Sequence, residues 1–146
     1  MLTHLVVQSD RAPPGGVVSI APSAIKGFDR LSELAVANAH TDILSVPMSE
    51  TLARWYVGDS GIALTDPLMS GAFIPFALSW PRTLILAGTG DLLIDASREL
   101  AKRLSALNLA VELVEYDESP HGWWSMPQVF PEEFQDAVQR IARFIL

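Results

Sequence analysis

Hydrophobic positions along this chain fall into two regimes, divided near Pro81. Downstream the spacing is regular. Arg82-Thr83-Leu84-Ile85-Leu86-Ala87 reads as a continuous apolar strand, and Asp95 to Leu107 follows with Ala96, Leu100, Leu104 and Leu107 on one helical face. Ala110-Val111-Glu112-Leu113-Val114-Glu115-Tyr116 predicts another strand. A final helix opens at Pro131 and carries Phe134, Val138, Ile141 and Ile145 along one stripe. Strand, helix, strand, helix is a βαβα unit, which calls for parallel strands and a right-handed crossover.

Upstream the pattern is interrupted. A short helical start ends at Ser9-Asp10, Pro13-Pro14-Gly15-Gly16 forms a turn, and the β-branched run Val17-Val18-Ser19-Ile20 predicts a buried strand. From Ser23 to about Ser79 only one helix is convincing, Met48 to Val57, which follows a proline suited to a first helical turn, Pro47. This stretch reads as a cap or excursion. The fold class expected is α/β, with about three parallel strands and flanking helices.

Composition narrows the function. A chain of 146 residues suits one domain, and 49% hydrophobic against 18% charged residues is too apolar for disorder. The net charge of -7 disfavours a nucleic-acid or anionic-membrane surface, so no nucleic-acid partner is expected. The absence of Cys removes disulfides, thiolate nucleophiles and cysteine zinc sites. Met1 to Gln8 lacks the features of a signal peptide, and no apolar run reaches the roughly 18 residues of a membrane span. A cytoplasmic protein is the expectation.

In an open parallel sheet, reactive groups collect in the loops beyond the carboxyl ends of the strands. Two such loops are readable: Gly88-Thr89-Gly90-Asp91, and Asp117-Glu118-Ser119-Pro120-His121-Gly122. If their strands are neighbours, Asp91 and His121 meet as a carboxylate–imidazole pair. A carboxylate on one ring nitrogen would fix the tautomer, leaving the other nitrogen to take a proton from a nucleophile. On spacing alone, a lone loop histidine is more often a plain surface residue.

The residues themselves carry a resemblance. Leu84-Ile85-Leu86-Ala87-Gly88-Thr89-Gly90-Asp91-Leu92-Leu93-Ile94-Asp95, Ala101-Lys102-Arg103-Leu104, Val111 to Tyr116, and His121-Gly122-Trp123 resemble the C-terminal portion of the fold-3, or hormone-sensitive-lipase-like, α/β-hydrolase carboxylesterases. That family ends with a strand, a G-x-x-D-x-L-x-D turn, a helix, a strand and an H-G-F motif. The resemblance implies a triad acid at Asp91 and a base at His121, with Trp123 where the family has Phe beside its substrate pocket. Weaker similarities extend upstream: Val17-Val18-Ser19-Ile20-Ala21-Pro22 to a strand leading to Ser-Pro, Thr41-Asp42-Ile43-Leu44-Ser45 to a D-x-x-L-T segment, and Thr65-Asp66-Pro67-Leu68-Met69-Ser70 to D-P-x-x-S-P. Residues 1–146 are then a partial α/β-hydrolase domain, with 23–79 as the cap-like excursion and 81–146 carrying acid and base.

The nucleophile of this fold is the Ser of a G-x-S-x-G elbow, which precedes acid and base in chain order, and neither that motif nor an H-G-G oxyanion loop occurs here. By resemblance, Met1 to Gln8 corresponds to later turns of the helix after the elbow. Gly58-Asp59-Ser60-Gly61 imitates part of an elbow, but Ile62 replaces the final Gly and Trp55-Tyr56-Val57 continues a helical pattern where a strand is required. Gly58 reads as a helix C-cap. His40 with the same segment echoes trypsin-like proteases, at far too short a spacing. Gly88-Thr89-Gly90 suggests a phosphate loop, but Leu93 replaces the third Gly and no P-loop Lys follows. Asp95 reads as capping or beginning the helix that follows, with support of the site from behind as the other reading. Trp124 reads as core or surface, and His4 has no readable partner.

The expectation is therefore the C-terminal portion of a serine carboxylesterase, inactive alone, acting in its complete form on a small acyl ester, with no cofactor and no metal. The alternative is a non-catalytic truncated α/β-hydrolase-like protein that binds a ligand or partner. An uncovered sheet edge in either case invites homo-oligomers.

Overall fold

Val17–Ile20 (β1) pairs in parallel with Thr83–Gly88 (β2), which pairs in parallel with Val111–Tyr116 (β3), so β2 is central. The register sets Val17 beside Thr83 and Gly88 beside Tyr116. The computed structural model describes residues 7, 9, 12–22, 31–63, 66–67, 70–71 and 74–146. The predicted helical start to Asp10 lies largely outside them, as does part of the Thr65–Ser70 segment.

Alternation along β2 builds two half-cores. Leu84 and Leu86 point to one face and pack with Tyr116, Trp123 and Ala137, the last from Pro131–Ile145. Ile85 points to the other face, against Leu100 and Leu104 of Ile94–Ala106, and Ala87 meets Ile94 and Ala35 there. Every residue of β2 is buried, as a central parallel strand covered on both faces must be. The three parallel strands with flanking helices are the α/β arrangement expected.

Four helices are described: Glu33–Asn38 (α1), Val46–Val57 (α2), Ile94–Ala106 (α3) and Pro131–Ile145 (α4). α2 begins two residues before the expected Met48, because the Ser45 hydroxyl accepts from the Met48 N–H and Pro47 sits in the first turn. α1 was not expected. Its six residues are too few for periodicity to show, yet Ser32 caps it and Ala35 is wholly buried.

Two apolar faces differ from their expected composition. Leu107 is the C-cap of α3 and 40% exposed, and the helix's buried face is made by Ile94, Ala96, Ser97, Leu100 and Leu104. On α4 the inward stripe is Phe134, Ala137, Ile141 and Phe144, whereas Val138 is 50% and Ile145 68% exposed. Phe134 and Ile141 stand as expected, and the stripe is rotated by one position at its other two members, so that Ala137 and Phe144 pack against the cluster of Leu84, Leu86, Tyr116 and Trp123.

Candidate active site

The loops after β2 and β3 leave the same sheet edge side by side and are stitched together through backbone. The Thr89 N–H donates to the Tyr116 carbonyl at 2.8 Å and the Gly90 N–H to the Ser119 carbonyl at 3.1 Å. The Thr89 hydroxyl donates to Asp117 Oδ1 at 3.1 Å and accepts from the Glu118 N–H at 2.8 Å. A Cβ built on Gly88 would lie 1.9 Å from the Ser119 carbonyl oxygen, and one on Gly90 2.7 Å from that of Glu118. Both glycines are thus accounted for by the approach of one backbone to another, with no phosphate needed.

This approach brings Asp91 and His121 together: Asp91 Oδ2 lies 3.0 Å from His121 Nδ1. The other oxygen, Oδ1, accepts from the Leu93 N–H at 2.7 Å, at the start of α3. Asp91 is 1% exposed, while the His121 side chain remains 24% exposed. A carboxylate can only accept, so Nδ1 carries the hydrogen and Nε2 is left with a free lone pair. Burial pushes the imidazole pKa down, but the hydrogen bond and charge of Asp91, helped by the charge of Asp42, outweigh it and hold His121 above its ordinary 6.5.

Gly122 takes a left-handed φ of 75°, which turns the chain sharply after His121. One consequence corrects an expectation about the aromatic neighbour. Trp123 does not line a pocket: it is 0% exposed and its ring lies 4.5 Å from that of Tyr116 in the core. The ring beside the imidazole is Trp124, edge-on at 5.4 Å and 75°.

Two further residues reach this site from the upstream region. Asn38, at the end of α1 and 7% exposed, donates through Nδ2 to the carbonyls of Thr89 at 2.7 Å and of Asp91 at 2.9 Å. Asp42, four residues on, accepts from the Ile43 and His121 N–H groups on Oδ1 at 2.7 and 2.9 Å, and from the Leu92 N–H on Oδ2 at 2.7 Å. Periodicity carries no sign of either residue. The one available signal was the D-x-x-L similarity at Asp42, which named a segment without a role.

The remaining sequence candidates lie elsewhere or act differently. Asp95 stands in the first turn of α3 without capping it, and its Oδ2 accepts from the Ser32 N–H at 2.7 Å, which anchors the start of α1. Ser60 is exposed after the Gly58 C-cap of α2, where its hydroxyl accepts from the Ile62 N–H of its own loop. His40 is exposed after α1, and His4 lies outside the described residues. Among the described residues no group of three or more His, Asp or Glu side chains is placed to hold a metal ion, and no helix is long and apolar enough to cross a membrane.

A family model described as the alpha/beta hydrolase fold matches residues 1–125. Among solved structures, an esterase of the bacterial hormone-sensitive lipase family superposes with a TM-score of 0.84 at 24% identity, covering 97% of this chain and 46% of that one. A hormone-sensitive lipase from a metagenome library gives 0.80 at 22%, covering 97% and 50%. The Francisella virulence factor BioJ gives 0.80 at 24%, covering 99% and 47%. The chain thus shares their fold and spans half of their length or less. No curated protein matches the sequence significantly.

Proposed function

The chain belongs to the alpha/beta hydrolase fold family, and from that premise we propose that it carries the acid and base of a carboxylic-ester hydrolase. The observation that supports this most directly is the 3.0 Å pair of Asp91 and His121 at the carboxyl edge of adjacent parallel strands. Catalysis needs a third group, a nucleophilic serine, and no G-x-S-x-G occurs within the 146 residues.

In the complete enzyme, His121 Nε2 takes the proton of the serine hydroxyl as its oxygen attacks the ester carbonyl. Asp91 holds the ring through Nδ1–H and stabilises the imidazolium that forms. The imidazolium then gives its proton to the departing alkoxide, leaving an acyl-serine and a free alcohol. Water enters next: His121 takes its proton, the hydroxide adds to the acyl carbon, and the proton returns to the serine as the acid leaves. The substrate is a small acyl ester, with Trp124 the aromatic wall nearest the imidazole. The chain acts with no metal or cofactor in this scheme. Because the base must be neutral, activity falls as acid protonates an imidazole whose pKa stands above 6.5.

The purified chain is expected to leave short-chain p-nitrophenyl esters unhydrolysed. Robust turnover that disappears in Ser60→Ala would overturn the assignment of Ser60 as a bystander. The gene read in frame upstream of Met1 is expected to encode a G-x-S-x-G and, before it, an H-G-G. A protein carrying both should lose about 10³-fold or more in kcat on His121→Gln. Absence of both motifs would instead favour a non-catalytic protein that keeps the pair for binding.

A further inference from the structure

We propose that Asp42 is a positioning residue for the acid–base pair: its carboxylate clamps the loop that carries Asp91 to the loop that carries His121. The proposal rests on the reading of those two residues as acid and base. Three backbone N–H groups converge on this one side chain, and two of them belong to the site. One is Leu92, the residue next to Asp91, and the other is His121 itself; the remaining donor is the neighbouring Ile43. Neither amide is satisfied by the sheet, because both lie beyond the ends of their strands. Beyond the backbone stitching at Thr89 and Gly90, Asp42 is therefore a second bridge, one that ties the His121 backbone to the residue next to Asp91 and so sets how the imidazole meets that carboxylate.

The chemistry of the bridge calls for a carboxylate. Oδ1 accepts two N–H groups and Oδ2 a third, so both ends of the side chain must accept. Asparagine has the same shape but only one accepting end, and its NH2 would face an N–H on one side. Asn38 completes the clamp with the opposite polarity by donating to the carbonyls of Thr89 and Asp91. The charged groups facing the imidazole are Asp91 from the loop after β2 and Asp42 from the turn after α1, and the adjacent Trp124 ring is uncharged. Both carboxylates favour the imidazolium formed on proton uptake, so Asp42 acts on the base through position and through charge.

The test uses the 146-residue chain and needs no turnover. Imidazole resonances are followed by NMR against pH in the parent, Asp42→Asn and Asp91→Asn, with His121→Gln identifying the signal among three histidines. Amide exchange is read at Leu92 and His121. In the parent both amides are expected to be protected, although they stand in loops. Asp42→Asn should lower the His121 midpoint and speed exchange at both amides by roughly tenfold or more, as loss of a hydrogen bond of this kind implies. A midpoint unchanged in folded Asp42→Asn overturns the proposal. So do parent amides that exchange at free-loop rates, and this reading stands even if the variant fails to fold. A silent Asp91→Asn would instead overturn the acid–base pairing itself, so the two failures are told apart by which variant is silent.

Discussion

The stretch from Pro81 to Leu146 and the stretch between β1 and Pro81 solve different physical problems. The first is a self-consistent unit: β2, α3, β3 and α4 each bury an apolar face against the next, and both reactive loops emerge from it. The second, among its described residues, buries Ala35, Leu44, Ala53 and Ile74 but leaves large side chains in the open, with Trp55 75% and Tyr56 69% exposed. Yet it reaches into the site with directed hydrogen bonds from Asn38 and Asp42. One region carries the Asp91–His121 pair and the other is hydrogen-bonded to the loops that hold it. Exposed apolar side chains and directed polar contacts are compatible here, because a few short hydrogen bonds to loop backbone can position a loop without a large apolar contact.

Paired substitutions break this comparison most severely in the core. Trp123→Ala should cost about 3–5 kcal/mol in urea unfolding, since it removes a wholly buried ring, whereas Trp55→Ala should stay within about 0.5 kcal/mol. Equal losses for the two would mean that the upstream region carries a core of its own. A glycine pair comes next. Gly88→Ala must push against the Ser119 carbonyl and should cost roughly 1–3 kcal/mol or more, while Gly15→Ala meets nothing within 4 Å and should be close to neutral. Thermal melts of the two variants decide it.

Asn38→Ala sharpens the comparison from the other side. It strands the Thr89 and Asp91 carbonyls and should cost about 1–3 kcal/mol although it deletes no apolar contact with the sheet. A loss below roughly 0.5 kcal/mol would show that water replaces the amide and that the upstream region does not hold the site.

The smallest effect is a pH slope. His121 is held above 6.5 in the folded state, so its pairing contributes stability that is fully present below that value and fades as pH rises through the folded pKa. In Asp91→Asn burial remains without its counterweight, and that contribution should vanish or reverse sign. Melting temperatures of parent and variant should thus differ more below pH 6.5 than well above it. Parallel curves across that range would argue against the pairing.

Much of the downstream region was legible in the residues. The strands now seen at Thr83–Gly88 and Val111–Tyr116 were readable to within a residue or so, the first as a short, wholly buried apolar run and the second from its β-branched and apolar residues although only Tyr116 of it is buried. The helix bounds were as clear, but the faces were not. Val138 and Ile145 were expected inward on one stripe with Phe134 and Ile141, yet Ala137 and Phe144 take their places in the interior, a small rotation of the face that periodicity does not resolve. The site shows the same division. Asp91 and His121 stood out by their places after successive strands, whereas Trp123 was expected at the pocket and it is Trp124 that stands beside the imidazole, Trp123 being buried beyond the turn at Gly122.

Sequence by itself determined the local units and, through them, the sheet edge to which Asp91 and His121 belong, because strand and helix periods are written in near neighbours. Only the tertiary structure decided that Asn38 and Asp42 hold that edge together. Their contacts span 50 to 79 residues and leave no periodic trace. A hydrogen bond between a side chain and a distant backbone N–H depends on where two loops come to rest. That follows from the packing of the whole sheet, and no stretch of neighbouring residues contains it.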